Sequence, residues 1–486
     1  MLASRKQAPV DLGRVLVLGL GKSGAAVAAY CTALLGSRVR SVTVALSEDT
    51  PANRCAAQEQ EAQGAQVALG ADAVDAALVP GAFDLCIASP GISEFSPLYR
   101  CAAESSVELI GEVEFAWRES TADSVWVAVT GTNGKTTTTA LAAHILRSCG
   151  FDAAAVGNIG DTCIDAVASG KVSCYVAETS SYQLASTADF APDVAVLLNI
   201  TPDHLHWHRT HENYAAAKRK VLNHVRRAAV LDACDPQVRA IVRELKAQGG
   251  SRGFAYLPIG CAAGLETSMT QACGAPDAAW LRQGRLHVSW EGAEHDLGLA
   301  SDLQIKGAHN ASNALAAAGV AVALGCSDGD VARALASFAP LEHRIEPCGT
   351  VAGVACYNDS KATNVDATLK ALQAFPDAHV VVLFGGDDKG TDLADLANVA
   401  RERGVHAICF GEGGPRFHEA LVAADVPVID AEHLADAVEA GLDAASPGDV
   451  LLLSPACASF DEFSCFEERG DAFKALVARQ REQRGA

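Results

Sequence analysis

Short apolar runs, each closed by a glycine-rich or polar turn, alternate with alanine-rich stretches of helical period along most of this chain. GRVLVLGLGKSG (13–24) enters a glycine-rich turn, and a helix pattern follows from Ala25. SVTVALS (41–47) and FDLCIASPGIS (83–93) repeat the theme, the second ending in a proline-glycine turn. Strand and helix patterns in alternation predict an open parallel sheet, because parallel strands need crossover helices between them. This segment ends near GEVEFAWRESTADS (111–124), which reads as a polar boundary. A second sheet begins with SVWVAVTGTNGKT (124–136) and continues through FDAAAVGNIG (151–160), SCYVAETSS (173–181), DVAVLLNITPD (193–203) and AAVLDACD (228–235). Residues 250–300 carry short alternating runs such as GRLHVSW and read as an antiparallel excursion or long insertion. GAHNASNALAAAGVAVALG (307–325) predicts a helix. The strands VACYNDS (354–360), HVVVLFGG (379–386), HAICFGE (406–412) and DVLLLSPACAS (449–459) make a third sheet. Three α/β domains are expected, over 1–120, 121–340 and 341–486.

Composition agrees with that division. The chain has 486 residues, too many for one ordinary core, and 49% are hydrophobic, so each domain can bury its own. It carries 38 basic against 59 acidic residues, a net charge of −21. So acidic a surface repels phosphate backbones and argues against a nucleic-acid partner, while a local loop of amides can still hold an anion. The 16 cysteines are scattered, without a C-x-x-C pair, and most sit in apolar strings such as DLCIAS. They predict reduced thiols in a cytoplasmic protein. No apolar run reaches transmembrane length and MLASRKQAPVDLG lacks a signal-peptide core, so no membrane partner is expected.

GTNGKT (131–136) lies between an apolar strand and the helical TTTTALAAHILRS, the context a phosphate-binding loop requires. Its glycines let backbone N–H groups turn to phosphate oxygens, and the helix start adds positive partial charge. Lys135 would reach the β/γ-phosphates and Thr136 would place its hydroxyl on Mg²⁺. The usual motif has four residues between its glycine and GK, and this loop has two. GLGKSG (19–24) also fits G-x-G-x-x-G after a strand, but the second strand ends in VALS, with Glu48 and Asp49 only beyond it. A nicotinamide site is thereby weakened, and a phosphate group or simple packing at this turn are left as equal readings.

Parallel sheets bind ligands at the carboxyl ends of their strands. In the second segment those ends carry Lys135, Thr136, Asn158, Glu178, Asp203 and His204. Glu178 could cap a helix, but beside a phosphate loop a Mg²⁺ ligand is the better reading, since hard cations take carboxylate oxygen. TPDHLHWHRTH (201–211) holds four histidines, and His204, His206 and His208 could form a zinc triad on an extended chain. A nucleotide pocket favours Mg²⁺, so His204, with Asp203, is assigned to the metal, and His206, His208 and His211 are expected to be solvated. In ENYAAAKRKVLNHVRR (212–227), Tyr214, Ala217, Val221, Leu222 and Val225 form an apolar stripe that contains Lys218, while Lys220, Arg226 and Arg227 lie off it. A lysine on a buried face could snorkel to the edge, or it could be a neutral amine able to take up CO₂.

Together these residues resemble the Mur ligase family, the ATP-dependent amide ligases of peptidoglycan precursor synthesis. GTNGKT, Glu178, Asp203-His204 and Lys218 match its central domain. GAHNASNALAA (307–317) resembles the family's H-N-x-x-N-A-x-A-A helix start, and HRIE (343–346) the opening of its third domain. The resemblance implies a Rossmann-like N-terminal domain for the UDP-linked substrate, a central P-loop ATPase-type parallel-sheet domain for ATP, and a Rossmann-like C-terminal domain for the amino acid. It implies ATP contacts from Gly131, Thr132, Asn133, Gly134, Lys135, Thr136 and Thr137, from Asn310 and Asn313, and from Arg344, Asp359 and Lys361. It implies two Mg²⁺ ions held by Thr136, Glu178, His204 and a carbamylated Lys218, with Lys135, Lys218, His204 and Arg344 as the catalytic groups.

Within the family, ETSSYQL (178–184), NDSKATN (358–364), FGGDDKG (384–390) and SPACASFDEF (454–463) resemble the members that add glutamate to UDP-N-acetylmuramoyl-L-alanine. Thr363, Lys389, Ser459 and Phe466 would line the glutamate site, Asn158 and Ser181 the acceptor, and Ser23 with Ser89, Pro90 and Gly91 the UDP end. The implied mechanism is attack of the L-alanine carboxylate on the γ-phosphate, then of the glutamate amine on the acyl phosphate, after a closure that excludes water. A monomer is expected. The residues leave open D- against L-glutamate, a folylpolyglutamate synthase on the same scaffold, and a nucleotide-binding module without ligase activity.

Overall fold

A computed structural model of the chain describes residues 6–249, 253–305, 307–388 and 390–485. The first sheet contains β1 (Gly13–Leu18), β2 (Val39–Leu46), β3 (Gln66–Leu69), β4 (Phe83–Ala88) and β5 (Ser106–Gly111), all parallel, in the order β3-β2-β1-β4-β5. Its strands are buried on both faces: Val15 and Val17 pack to one side, Leu16 and Leu18 to the other. The order reverses between β1 and β4, and the two glycine-containing turns read from the sequence follow those neighbouring strands.

The second sheet has nine strands: β6 (Val125–Thr130), β7 (Ala153–Gly157), β8 (Cys174–Glu178), β9 (Val194–Leu197), β10 (Ala228–Asp232), β11 (Ala255–Ile259), β12 (Ala278–Arg282), β13 (Arg285–Trp290) and β14 (Ala293–Leu299). Their order is β14-β13-β12-β11-β10-β9-β6-β8-β7. Residues 250–300 are therefore no separate insertion. β11 and β12 continue the parallel ladder, and β13 and β14 follow by antiparallel pairing at the edge of the same sheet. The third sheet comprises β15 (Glu346–Val351), β16 (Val354–Asn358), β17 (Val380–Gly385), β18 (His406–Phe410), β19 (Val428–Asp430) and β20 (Val450–Ala456), in the order β15-β16-β20-β17-β18-β19, with only β15 antiparallel. The chain forms two compact units. Met1–Asp302 with Ser312–Ala336 holds the first two sheets, and Leu303–Ala311 with Ser337–Ala486 holds the third.

Two sequence readings are corrected. The stretch taken as a polar boundary holds the helix Glu112–Glu119, whose Phe115 and Trp117 enter the core. Its buried charges find partners in the fold: Glu114 accepts from Arg118 and from the N–H groups of Ala188 and Asp189, and Glu112 Oε1 accepts from the Ile164 N–H at 2.8 Å, while burial pushes the Glu112 pKa up to about 7. The helix read over 212–227 ends earlier, at Arg219, and a 3₁₀ turn follows over Lys220–Leu222. Its apolar stripe is buried as expected. Lys220 is not solvated, since it donates to the Ala185 carbonyl, and Arg226 pairs with Asp193 at 3.1 Å.

Candidate active site

β6 leads directly into the phosphate loop, and the helix Lys135–Ser148 begins at the loop's lysine. Gly134 has a φ of 85°, and a Cβ there would lie 2.5 Å from Asn313 Oδ1, so the position admits only glycine. Asn199, just beyond β9, grips the loop: its Oδ1 accepts the Asn133 N–H at 2.7 Å and its Nδ2 donates to the Asn133 carbonyl at 3.0 Å. The Thr132 hydroxyl meets the Tyr214 hydroxyl at 2.8 Å, and Lys135 Nζ donates to the Thr132 carbonyl at 2.8 Å. Thr136 and Thr137 lie in the first helical turn. Asn310 and Asn313 occupy the helix Ala308–Ala323, and Asn313 Oδ1 accepts from Thr138 at 3.2 Å. Asn199 was not singled out from the sequence; an amide closing the apolar run LLN was the available signal.

Glu178 ends β8, the strand beside β6, and is 2% exposed. Asn158 Nδ2 donates to its Oε1 at 2.9 Å, while its buried Oε2 has no hydrogen-bond partner. It is not a helix cap; Ser180 caps the next helix and forms a capping box with Gln183. A buried carboxylate oxygen without a donor, beside a phosphate loop, fits a hard cation. Lys218 is also 2% exposed; its Nζ donates to the Gly131 carbonyl at 2.6 Å and lies 4.8 Å above the Tyr214 ring. Burial pulls its pKa well below the usual lysine value, and Lys135 pushes the same way against the weaker pull of Asp203 and Glu178. Desolvation is the largest of these effects and favours the unprotonated amine.

The histidines divide. His204 adopts a left-handed backbone (φ 54°), fixed by Asp203 Oδ1 accepting its N–H at 2.8 Å, and its ring lies 4.9 Å from that of Tyr182. His206 is exposed, and His211 is paired through Nε2 with Gln237. His208 departs from expectation: it is fully buried, with Nε2 2.9 Å from the Ser181 hydroxyl. Burial pulls its pKa down to about 4, so it stays neutral. The reason is an aromatic cluster: Tyr182, which stacks on Trp207 with ring centroids 4.6 Å apart, and Tyr214 lie 5.5 and 5.4 Å from the His208 ring. Ser181 is thus engaged by His208. Among the described residues no three His, Cys, Asp or Glu side chains gather as a metal cage.

At the first sheet, the Ser89 hydroxyl donates to the Gly19 carbonyl at 3.1 Å, joining the two turns. A Cβ on Gly24 would sit 2.0 Å from that carbonyl, while Gly21 faces open space. Ser23 lies in the first turn of the helix Lys22–Ala33, and Pro90 and Gly91 lie in the turn after β4. That turn touches the histidine loop: Ser93 Oγ donates to the Trp207 carbonyl at 3.0 Å, and Arg209 lies 4.9 Å over the Phe95 ring.

In the other unit, Asp359 and Lys361 follow β16. Asp359 accepts from Ser454 Oγ at 2.8 Å, and burial pushes its pKa up to about 7. Arg344 is flanked by left-handed His343 (φ 61°) and Ile345 (φ 45°). Lys361 Nζ lies 3.8 Å over the Phe466 ring, Thr363 donates its N–H to the Lys361 carbonyl at 2.9 Å, and Ser459 is buried in the loop after β20. Lys389 lies outside the described residues.

Comparison with known proteins follows the same lines. The Mur ligase middle domain matches residues 129–321, and the Mur ligase glutamate ligase domain matches residues 343–457. The UDP-N-acetylmuramoylalanine–D-glutamate ligase of Geotalea uraniireducens is 38% identical over 472 residues, covering 96% of this chain and 97% of that protein. The proteins of the same name from Thermobifida fusca and Streptomyces coelicolor are 38% and 36% identical, covering 96% and 95% of this chain and 98% and 97% of theirs. Among solved structures, a pseudomurein peptide ligase type C from Methanothermus fervidus superposes with a TM-score of 0.58 at 17% identity, covering 96% of this chain and 99% of that one. UDP-N-acetylmuramate-alanine ligase from Thermotoga maritima gives 0.55 at 18%, covering 97% and 99%. Both share the fold.

Proposed function

The chain belongs to the Mur ligase family, and we propose that it joins D-glutamate to UDP-N-acetylmuramoyl-L-alanine with ATP as the driving substrate, in peptidoglycan precursor synthesis. The observation that carries this reading is the convergence, near the ends of neighbouring strands β9, β6 and β8, of a phosphate loop, a buried carboxylate with an orphaned oxygen, and a buried lysine against the loop's first carbonyl. Residues 1–120 take the UDP-linked substrate, 121–340 take ATP, and 341–486 take the amino acid. The enzyme acts as a cytoplasmic monomer; among the described residues no helix is long and apolar enough to cross a membrane.

The L-alanine carboxylate attacks the γ-phosphorus as the bond to the ADP oxygen breaks. The amine of glutamate then attacks the acyl carbon, and inorganic phosphate leaves. A nucleophile that is already a carboxylate needs no serine or cysteine. Phosphoryl transfer asks the protein mainly for positioning and charge neutralisation. The 131–136 amides and Lys135 hold the phosphates, and the Asn199 grip keeps those amides aimed. Mg²⁺, held by Thr136, Glu178, His204 and a carbamylated Lys218, would neutralise charge on the phosphates. Lys218 would become a ligand if its amine, unprotonated, added to CO₂ and released a proton, which would leave an anion with two hard oxygens; the downward pull of burial on its pKa favours that form. Arg344 adds a cation for the γ-phosphate, Asp359 and Lys361 face the nucleotide, and Thr363, Lys389, Ser459 and Phe466 take the amino acid.

Mass spectrometry of the product tests the reading. The nucleotide substrate is expected to gain one glutamyl residue only when ATP, Mg²⁺ and glutamate are all present, and an unchanged mass would reject it. A second expectation concerns the loop. Asn199→Ala removes the amide that grips both backbone groups of Asn133, and should raise the KM for ATP about tenfold, the equivalent of one lost hydrogen-bonded contact. The KM for the UDP substrate should stay within about twofold. Steady-state kinetics with each substrate varied in turn checks it.

A further inference from the structure

Arg469, in the first turns of the helix Phe466–Arg484, is fully buried and has no part in the mechanism above. Its Nε donates to the Ser360 hydroxyl at 2.9 Å, and its Nη2 to the carbonyls of Ser360 at 2.9 Å and Cys457 at 3.1 Å. Its Nη1 donates to the Ala458 carbonyl at 2.8 Å. A Cβ on Gly386 would lie 2.9 Å from that same Nη1, so the loop after β17 passes against the guanidinium too. One cation thus meets the loops that follow β16, β20 and β17, three strands adjacent in the sheet. Those loops carry Asp359 and Lys361, Ser459, and Asp387 with Asp388. The Ser360 hydroxyl extends the network by donating to the Phe466 carbonyl at 2.8 Å.

The charge is as informative as the geometry. Among the described residues the hydrogen bonds of Arg469 go to neutral oxygens alone, and Asp461, Glu462 and Asp359 act on it only from a distance. Burial pulls its pKa down to about 10, which leaves it cationic at neutral pH. A buried cation bound only to neutral oxygens costs stability unless something offsets it, and its field reaches further in a low-dielectric interior than in water. Lysine could not replace it, because only the planar fork serves carbonyls in several directions at once.

We propose that Arg469 is a positioning residue for the amino-acid substrate, fixing the loops 359–363 and 457–459 against Gly386 and holding a positive field under the place where a dicarboxylate amino acid binds. This rests on the ligase reading above. The test is steady-state kinetics of Arg469→Lys, Arg469→Gln and Ser360→Ala with ATP, the UDP substrate and D-glutamate each varied, alongside the wild type. In Arg469→Lys the KM for D-glutamate should rise about tenfold, with kcat within about threefold and the KM for the UDP substrate unchanged. Arg469→Gln, which also loses the charge, should raise it further, and Ser360→Ala by roughly threefold. An unchanged KM for D-glutamate in folded variants, or a fall in kcat alone, would overturn the proposal. Should both Arg469 variants fail to fold, Ser360→Ala decides: an unchanged KM there overturns it equally. Wild-type enzyme that turns over no D-glutamate would instead remove the ligase reading, and this proposal with it.

Discussion

Lys218→Ala is expected to lower kcat by about 10³-fold or more, the scale of losing a group that neutralises transition-state charge. The side chain is buried, with its pKa pulled well down by desolvation, next to the Gly131 carbonyl at the start of the phosphate loop, in a pocket it shares electrostatically with Lys135, Glu178 and Asp203. As a bare lysine it would bring no ligand oxygen to a metal; as a carbamate it brings two. Bicarbonate or a short carboxylate such as formate should therefore restore part of the activity of the alanine variant, by placing oxygens in the vacated space. The rate with and without added carboxylate, at fixed ionic strength, checks this. Full activity in Lys218→Ala would end the carbamate account. The same residue makes a stability prediction. Burial depresses its pKa in the folded chain, so between the folded and unfolded values the unfolded chain holds the extra proton. Stability then climbs with pH until about 10.4, the unfolded lysine value. In metal-free protein kept free of CO₂, where the amine is unmodified, Lys218→Met removes that burden and should raise Tm at pH 7, with the gain over wild type shrinking as pH approaches 10; a lower Tm at pH 7 under those conditions would mean the lysine is charged and satisfied.

Glu178→Gln carries the second large effect. The substitution keeps the shape and the acceptor for Asn158, but replaces the orphaned Oε2 with an N–H₂ group that cannot ligate a cation. A fall in kcat of roughly 10²–10³ is expected, together with a higher Mg²⁺ concentration for half-maximal rate. Tm should change little, because the lost oxygen had no partner to lose. A Mg²⁺ titration of both proteins, beside their melting curves, separates the two roles. An unchanged Mg²⁺ dependence with a clear drop in Tm would make Glu178 structural.

The central strands and the phosphate loop were legible because parallel strands buried on both faces are continuous apolar runs and the loop motif is local. β5 and β15 were not, since these edge strands break their apolar runs with polar residues such as Glu108 and Glu346. The helix Glu112–Glu119 was misread because its buried charges find partners about seventy residues away, at Ala188 and Asp189, which no local pattern records. Lys218 was legible because a lone cation interrupts a helical stripe. His208 was not, since its burial depends on the aromatic cluster of Tyr182, Trp207 and Tyr214. Arg469 left no signal: it sits in a helix of mixed charge, and only the fold brings Ser360, Cys457 and Ala458 around it.

The account stands or falls on its amino-acid substrate, and the most direct measurement is phosphate release with UDP-N-acetylmuramoyl-L-alanine, ATP and Mg²⁺, comparing D-glutamate, L-glutamate and no amino acid. Sustained release with D-glutamate alone is the predicted result. Release that requires L-glutamate, or that is absent with both, would contradict it.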